Sequence, residues 1–433
     1  MDLRRKEPVK HILSGDIKLG GRYISVKFFP AFAHTDIIPY WDKSVRRVMS
    51  IRRLFPQEMQ RRFLISLNFD ESIHYSLSED QGDPRGLKEL NPPLNELEEV
   101  FVDCGAFHYI NEPKPRLRRG PLINPVSALK SYQMRHLRRA KNVKFLVCSP
   151  DHIITPQMDD DEAERRKDWT LKTARGFHEL IKEENPKVEP VGVVHGRSSE
   201  ERYSMLEDLL EIGFERIAFG GLVPLAKNEF EVLNQVAGIE SRNPDCVPID
   251  SPLGLALSED CKVHMLGLGS PSWYQWWLRL GVDSFDTSKL QQEGAANGLI
   301  WTLSNPQKTL LEVPPNSKEM FSKFATKKIE LSLLDGEVPK RFGISGEVSG
   351  LDLAQEDGVG KYFLSSTCTS NKCRHGPDAH VQDPRVTGSA DHNMARSIIN
   401  AHVFQKLMDK MDELHLCSKE DQSPSHWSSI PLG

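Results

Sequence analysis

Two short apolar segments joined by a helical segment constrain the fold most strongly. The first, residues 263–265, leads into a glycine-rich turn, and the second, residues 282–285, ends at Asp286. Pro271 begins the segment 271–280, and proline is well tolerated in the first turn of a helix. The pattern predicts a β-α-β unit with Asp286 at the carboxyl end of its second strand. From these residues alone, Asp286 is either a catalytic carboxylate or the cap of the next helix.

Earlier parts of the chain repeat the pattern of a strand followed by a polar or glycine-rich loop. Apolar segments run into Asp103, Asp151, His195 and the Gly220-Gly221-Leu222 loop. Helical segments are predicted at 159–184 and 199–212, and the basic stretch 42–66 is also predicted to be helical. Taken singly, Asp103 is equally well explained as a loop or cap residue, and His195 as a structural histidine. A length of 433 residues allows one large barrel or several smaller domains.

Residues 264–301 resemble the signature region of the tRNA-guanine transglycosylase superfamily. The matching motifs are Leu266-Gly267-Leu268-Gly269-Ser270-Pro271, Gly281 to Asp286, and Ala296-Asn297-Gly298 followed by Trp301 and Thr302. The resemblance implies a (β/α)8 TIM barrel with a zinc-binding insertion near the C-terminus. It also implies base exchange at a glycosidic bond, with Asp286 as the nucleophile.

The resemblance assigns a role to each of the earlier strand ends. Asp103 would be the general acid and base, and Phe107 would stack on the exchanged base. Asp151 would accept hydrogen bonds from a guanine-type edge, which suits a carboxylate. His195 stands where the family has a glutamine that binds the base. Cys104, which replaces a serine, is predicted to be a small packing residue. The remaining substrate-binding positions are Gly220, Gly221, Leu222 and Leu266.

A structural zinc site is implied near the C-terminus. The family binds zinc through Cys-x-Cys-x2-Cys and a histidine at the start of the last helix. The matching ligands are Cys368, Cys373 and His392. Ser370 occupies the middle cysteine position, so His375 is the predicted fourth ligand and His380 the reserve. Two cysteines and two histidines suit tetrahedral zinc. The alternative is two unrelated thiols and a core histidine.

Composition narrows the class of protein. No apolar run approaches the roughly 18 residues of a membrane span, and the N-terminus lacks the apolar core of a signal peptide. The seven cysteines are mostly scattered, which predicts reduced thiols and a cytoplasmic protein. The expected domains are a catalytic barrel over 1–362, a zinc subdomain with the C-terminal helix over 363–416, and a disordered tail over 417–433.

The charge distribution and the sequence of the loop after Asp286 help to identify the substrate. Residues 1–150 hold 26 Lys and Arg against 17 Asp and Glu, although the whole chain has a net charge of −5. Basic clusters in this region favour a polyanionic partner. Relatives that act on tRNA carry arginines after the nucleophile, whereas residues 287–296 contain a single cation and Ala296 precedes Asn297.

These departures favour DNA as the substrate and 7-cyano-7-deazaguanine as the incoming 7-deazaguanine base, as in the DNA-guanine transglycosylases. Proteins of a DNA-modification system are then possible partners. A tRNA-acting enzyme is the first alternative. A non-catalytic nucleic-acid-binding subunit is the second, although the chain retains both Asp103 and Asp286.

Overall fold

The computed structural model describes most of the chain between residues 98 and 291 and shorter segments on either side. The described residues are 17–18, 26–31, 37–39, 47–50, 55–66, 88–90, 98–116, 122–132, 143–184, 188–240, 246–291, 401, 404–405, 408–409 and 412. The predicted zinc ligands and most of the loop after Asp286 therefore lie outside the described residues. The domain boundaries predicted near 362 and 416 lie outside them as well.

Eight strands form one sheet in which every hydrogen-bonded pair is parallel. In chain order these strands are β1 Lys27–Pro30, β2 Arg62–Ser66, β3 Glu99–Asp103, β4 Lys144–Cys148, β5 Val188–Val194, β6 Arg216–Phe219, β7 Lys262–Met265 and β8 Ser284–Thr287. β8 pairs with β1, and a parallel bridge between Ala31 and Leu64 joins β1 to β2. The strands therefore form a nearly closed barrel, which confirms the predicted TIM-barrel fold.

Helices alternate with the later strands, as the sequence pattern predicts. The described helices are Gln57–Gln60, Pro125–Tyr132, Asp160–Glu184, Ser199–Ile212, Glu229–Ala237, Pro252–Ser258, Pro271–Leu280 and Lys289–Gln291, with 3-10 turns at Ala106–Tyr109 and Val223–Leu225. Ser198 and Ser270 cap two helices by accepting a backbone N–H, and glycines end them. No helix in the described part of the chain has both the length and the apolar character needed to cross a bilayer.

The basic stretch 42–66 is not one helix, and that prediction was wrong. Its described residues form the strand Arg47–Ser50, the four-residue helix Gln57–Gln60 and β2. β2 reads Arg-Phe-Leu-Ile-Ser, and its three central residues are buried. Arg47–Ser50 pairs with two short strands outside the barrel, Ile37–Pro39 and Lys88–Leu90. Another pair outside the barrel joins Ile17–Lys18 to Cys246–Val247.

Alternation along each strand divides the barrel interior into layers. In β3, residues Glu99, Phe101 and Asp103 share one face because side chains alternate with a period of two. The middle of the interior is a small apolar cluster, separate from the larger core between strands and helices. Its members are Phe29, Leu64, Phe101, Leu146, Cys148, Val191, Val193 and Ala218. Charged residues lie on one side of this cluster, and the predicted site residues lie on the other.

A network of ion pairs occupies the N-terminal end of the barrel. Oε2 of Glu99 accepts a hydrogen bond from Nζ of Lys27 at 2.7 Å, and Oε1 lies 3.8 Å from Nζ of Lys144. Lys144 also contacts Glu189 at 2.5 Å, and Glu189 binds Arg216 at 2.6 Å. Acidic and basic side chains therefore neutralise each other at the end of the barrel that lies away from the site.

The described residues after position 400 pack on the outside of the barrel. Ala401, Phe404 and Met408 are buried at helical spacing, in agreement with the predicted C-terminal helix. Phe404 lies edge-on to Phe28 and Phe285, which belong to β1 and β8. This contact covers the outer face of the two strands that close the barrel.

Candidate active site

Three carboxylates converge at the C-terminal mouth of the barrel. Asp103 ends β3, Asp286 lies in β8, and Asp151 follows β4 after two loop residues. Parallel strands place their carboxyl ends at one rim, where TIM barrels carry their catalytic groups. Asp151 and Asp286 are close enough to Asp103 to influence its ionisation.

Asp286 is buried, and donors hold one of its oxygens. Its Oδ1 accepts the backbone N–H of Gly267 at 2.8 Å and lies 3.2 Å from Nε2 of His264. Nδ1 of His264 lies 2.9 Å from the hydroxyl of Ser284. An ionised carboxylate only accepts hydrogen bonds, so we place the ring proton on Nε2. Gly267 has a positive φ of 73°, which allows the tight turn that presents its N–H.

Asp151 is held at both carboxylate oxygens. The thiol of Cys104 donates to Oδ1 at 2.8 Å, and Nε2 of His195 lies 2.6 Å from Oδ2. The hydroxyl of Tyr109 donates to the backbone carbonyl of Asp151 at 2.9 Å. All four residues are buried. The result is a carboxylate with a fixed orientation whose remaining lone pairs can accept two more donors.

Asp103 differs from the other two carboxylates in its surroundings. Its pKa is raised from 3.8 to about 7, chiefly by loss of hydration and then by the negative charges of Asp151 and Asp286. The backbone N–H of Gly105 donates to Oδ2 at 3.0 Å and opposes this shift. A carboxyl group with a pKa near neutrality can both give and take a proton. Asp103 is therefore suited to proton transfer.

The loop after β6 brings its backbone close to His195. A Cβ added to Gly220 would lie 2.6 Å from Cε1 of His195, and one added to Gly221 would lie 3.0 Å from Nδ1. Gly221 also has a φ of +69°, which disfavours any residue with a side chain. Arg202, fully buried, donates to the carbonyl of Gly220 at 2.9 Å. These contacts fix the Gly220-Gly221 backbone beside His195.

The other residues predicted to contact the base differ in how far their side chains are exposed to solvent. Phe107 is 54% exposed in the turn after β3, so its ring is available for stacking. Leu222 is fully buried, and any contact it makes with a ligand would come from its backbone. Leu266 packs against the apolar cluster in the barrel, and its N–H donates to the carbonyl of Phe219. The structure therefore places these three residues on the loops at the C-terminal end of the barrel.

Comparisons with known proteins agree with this geometry. No protein-family profile matches the chain. A DNA-guanine transglycosylase from Salmonella montevideo is 30% identical over 199 residues, which is 45% of this chain and 42% of that protein. A tRNA-guanine(15) transglycosylase from Methanocaldococcus jannaschii is 28% identical over 134 residues, which is 31% of this chain and 19% of that protein.

The resemblance to the tRNA-guanine transglycosylase superfamily is confirmed. The chain matches less than half the length of either relative.

A possible metal-binding group also lies at the mouth of the barrel. Ligand atoms of Asp103, Cys104 and Asp151 all lie within 4.8 Å of one another. The Cys104 thiol already donates to Asp151, and burial raises the pKa of this thiol well above its usual value. These hydrogen bonds account for the cluster without an ion. The predicted zinc ligands Cys368, Cys373, His375 and His392 lie outside the described residues, so zinc there stays a prediction.

Several residues of the site were not singled out by sequence reasoning. Cys104 was expected to be a packing residue, yet its thiol bonds to Asp151. Tyr109, Arg202 and His264 were given no role, although each contacts a predicted site residue or its backbone. For His264 a signal was available, because a polar residue alternates with apolar neighbours in a strand two positions before Leu266.

Proposed function

We propose that the chain is a guanine transglycosylase that replaces guanine in DNA with a 7-deazaguanine, the preferred base being 7-cyano-7-deazaguanine. One observation carries this proposal. At the mouth of the barrel, a carboxylate held by donors, Asp286, accompanies a carboxyl group with a pKa of about 7, Asp103. A nucleophile together with an acid of near-neutral pKa is what exchange of a base through a covalent sugar intermediate requires.

In the first half-reaction, Asp286 attacks the anomeric carbon of the deoxyguanosine sugar. A bond forms between this carbon and a carboxylate oxygen, and the glycosidic bond to guanine breaks. Asp103 gives its proton to the departing guanine, so that the leaving group is neutral. The raised pKa of Asp103 supports this assignment, because an ordinary aspartate would hold no proton at neutral pH.

In the second half-reaction, the incoming base attacks the same carbon and Asp286 leaves as a carboxylate. Asp103, now ionised, takes the proton that the incoming base releases, which restores the starting state. Asp286 and Asp103 are thus the proposed catalytic residues. Such a cycle has two displacement steps at one carbon, so the configuration of the sugar is retained.

The proposed base pocket surrounds Asp151. This carboxylate would accept the ring N–H and the exocyclic amine of the base, because Cys104 and His195 already fix its plane. Exposed Phe107 would stack on the base. The Gly220-Gly221-Leu222 backbone and Leu266 would line the other sides. The Nε2 atom of His195 is occupied by Asp151, so His195 supports the carboxylate and its direct contact with the base stays a prediction.

The proposed polymer is DNA, and the target nucleotide must leave its stack to expose the anomeric carbon. The similarity to a DNA-guanine transglycosylase and the single cation in residues 287–296 support this choice. The second candidate is tRNA, because the other relative is a tRNA-guanine(15) transglycosylase. We further propose a cytoplasmic location, possible association with proteins of a DNA-modification system, and a structural Zn²⁺ bound by the C-terminal subdomain of residues 363–416.

A denaturing gel tests the chemistry and the substrate together. Protein incubated with guanine-containing DNA should form a covalent protein–DNA species that added 7-cyano-7-deazaguanine discharges, whereas Asp286→Asn should form none, because an amide lacks the attacking charge. Folding of the variant, followed by circular dichroism, should be unchanged. An adduct with tRNA alone would select the second candidate. Full exchange activity in Asp286→Asn would overturn the proposal.

Nucleoside mass spectrometry extends the test to cells. DNA and tRNA from cells with and without the protein are digested and searched for 7-deazaguanine nucleosides. We expect the modified nucleoside in DNA only when the protein is present. Its appearance in tRNA instead would again favour the second candidate.

A further inference from the structure

His264 is buried in the barrel interior and touches the nucleophile through one ring atom only. Nε2 lies 3.2 Å from Oδ1 of Asp286, and Nδ1 lies 2.9 Å from the hydroxyl of Ser284. With the proton on Nε2, the Ser284 hydroxyl donates to Nδ1 and the ring donates to the carboxylate. The chain of donors therefore runs in one direction, from Ser284 through His264 to Asp286.

The plane of this imidazole is fixed by packing. The ring of Phe101 stacks on it with centroids 4.0 Å apart and an angle of 22°, and Phe29 lies edge-on at 5.8 Å. Phe101 shares a strand and a face with Asp103, two residues further on. The His264 ring, which contacts Asp286, therefore packs on β3, the strand that carries the proposed acid Asp103.

The geometry assigns His264 as a positioning residue for Asp286. Together with the N–H of Gly267, it holds Oδ1, and no described residue donates a hydrogen bond to Oδ2. Oδ2 is then the oxygen presented to the anomeric carbon, and its direction is set by the two donors on Oδ1. This assignment depends on the proposed function, because it concerns the nucleophile of that reaction.

Burial keeps the ring in the state that this role needs. His264 is fully buried, and loss of hydration lowers its pKa below the usual value of 6.5, although Asp286 opposes the shift. The groups that influence its ionisation are Asp286, which hydrogen-bonds to it, and Arg216, which lowers its pKa further. At neutral pH the ring is therefore uncharged and donates one hydrogen bond to the nucleophile.

Rates of adduct formation in a single turnover test the role. His264→Phe keeps a stacked ring but removes the donor, and we expect adduct formation to slow by about 10²-fold, as misplacing a reacting group by about 1 Å does. Affinity for 7-cyano-7-deazaguanine and for DNA should stay within about twofold. His264→Gln, which can place an amide N–H near the position of Nε2, should recover the rate to within about tenfold of the wild type.

Two controls separate positioning from general destabilisation. His178 is a buried histidine on the helix Asp160–Glu184 that packs against Phe214, and it does not contact the mouth of the barrel. His178→Phe should lower the melting temperature and leave the adduct rate unchanged. Ser284→Ala, a smaller change than His264→Phe, should slow adduct formation by about 3- to 10-fold, because it removes the partner that fixes the tautomer.

A crystal structure of His264→Phe gives a result that needs no activity. We expect the Asp286 carboxylate to rotate away from its position against the N–H of Gly267. An unmoved carboxylate, or an adduct rate equal to that of the wild type, would overturn the positioning role. Absence of any adduct in the wild type would instead count against the proposed function, and the orientation of Asp286 would still decide the role of His264.

Discussion

The two ends of the barrel hold acidic side chains in opposite surroundings. At the N-terminal end, Glu99 and Glu189 each bind more than one Lys or Arg. Burial alone would raise the pKa of Glu189, yet Arg216 and Lys144 hold it below its usual value. At the C-terminal mouth, Asp103 has no Lys or Arg partner among the described residues, and its pKa rises to about 7.

The difference concerns a single strand, β3, which carries both an ion-paired carboxylate and the proposed acid. Glu99 begins β3 and Asp103 ends it, on the same face, with Phe101 between them. The first carboxylate is neutralised by cations from neighbouring strands, so it contributes to closing the barrel. For the second, loss of hydration and then the negative charges of two other carboxylates raise the pKa, so that it holds a proton up to near neutral pH.

The largest expected effect comes from replacing Asp103, the proposed proton carrier. Asp103→Asn should lower the rate of exchange by about 10²- to 10⁴-fold, the usual range for a general acid or base. In the wild type, guanine release in a single turnover should slow as the pH rises through about 7, because Asp103 loses the proton that it donates. Rapid-quench measurements between pH 5 and 9 test this. A guanine-release rate that does not change with pH would contradict the assignment.

The same variant should alter the dependence of stability on pH. Between 3.8 and about 7, folded Asp103 keeps a proton that the unfolded chain has released, so the free energy of unfolding should fall as the pH rises through this window. Asp103→Asn removes that loss, and at pH 8 we expect a gain on the order of 1–3 kcal/mol. Urea titrations at pH 4 and pH 8 measure it. If wild type and Asp103→Asn differ in free energy of unfolding by the same amount at pH 4 and at pH 8, the pKa of Asp103 is not raised.

A smaller effect is expected from Asp151, the carboxylate proposed to bind the base. Asp151→Ala should weaken binding of 7-cyano-7-deazaguanine by about 10- to 100-fold, because the donors of the base lose their acceptor. Binding of DNA should change little. Ser149→Ala is the matched control, since Ser149 is buried in the same loop and its hydroxyl has no hydrogen-bond partner among the described residues. Isothermal titration calorimetry with the base and with DNA measures the two affinities separately. Equal weakening of base binding and DNA binding would show that Asp151 has a structural role.

The smallest effect, and one of a different kind, is expected at the other end of the barrel. Glu99→Gln leaves Lys27, Arg62 and Lys144 without their shared buried carboxylate, which should lower the free energy of unfolding by about 1–2 kcal/mol. Exchange activity per folded molecule should not change. Glu98→Gln, which breaks more exposed pairs, should cost less than about 1 kcal/mol. Loss of activity in folded Glu99→Gln would show that the two ends are coupled.

Sequence patterns predicted the later part of the barrel better than the earlier part. Strands around Asp151, His195 and Asp286 were expected, because apolar segments end in glycine or polar residues and helices separate them. β2 was missed. Its five residues begin with Arg62 inside a basic stretch, and a short buried strand carries no helical or alternating signal of its own.

The sequence by itself determined which residues stand at the carboxyl ends of the strands. The resemblance to the transglycosylase superfamily predicted that Asp103, Asp151, His195 and Asp286 share a site, and parallel strands bring those ends to one rim. Only the tertiary structure decided their partners. Cys104 and His195 contact Asp151 although they lie 47 and 44 residues away from it in the sequence. His264 contacts Asp286, which lies 22 residues away. The pKa of Asp103 likewise depends on burial and on carboxylates from two other strands, and both arise only when the barrel closes.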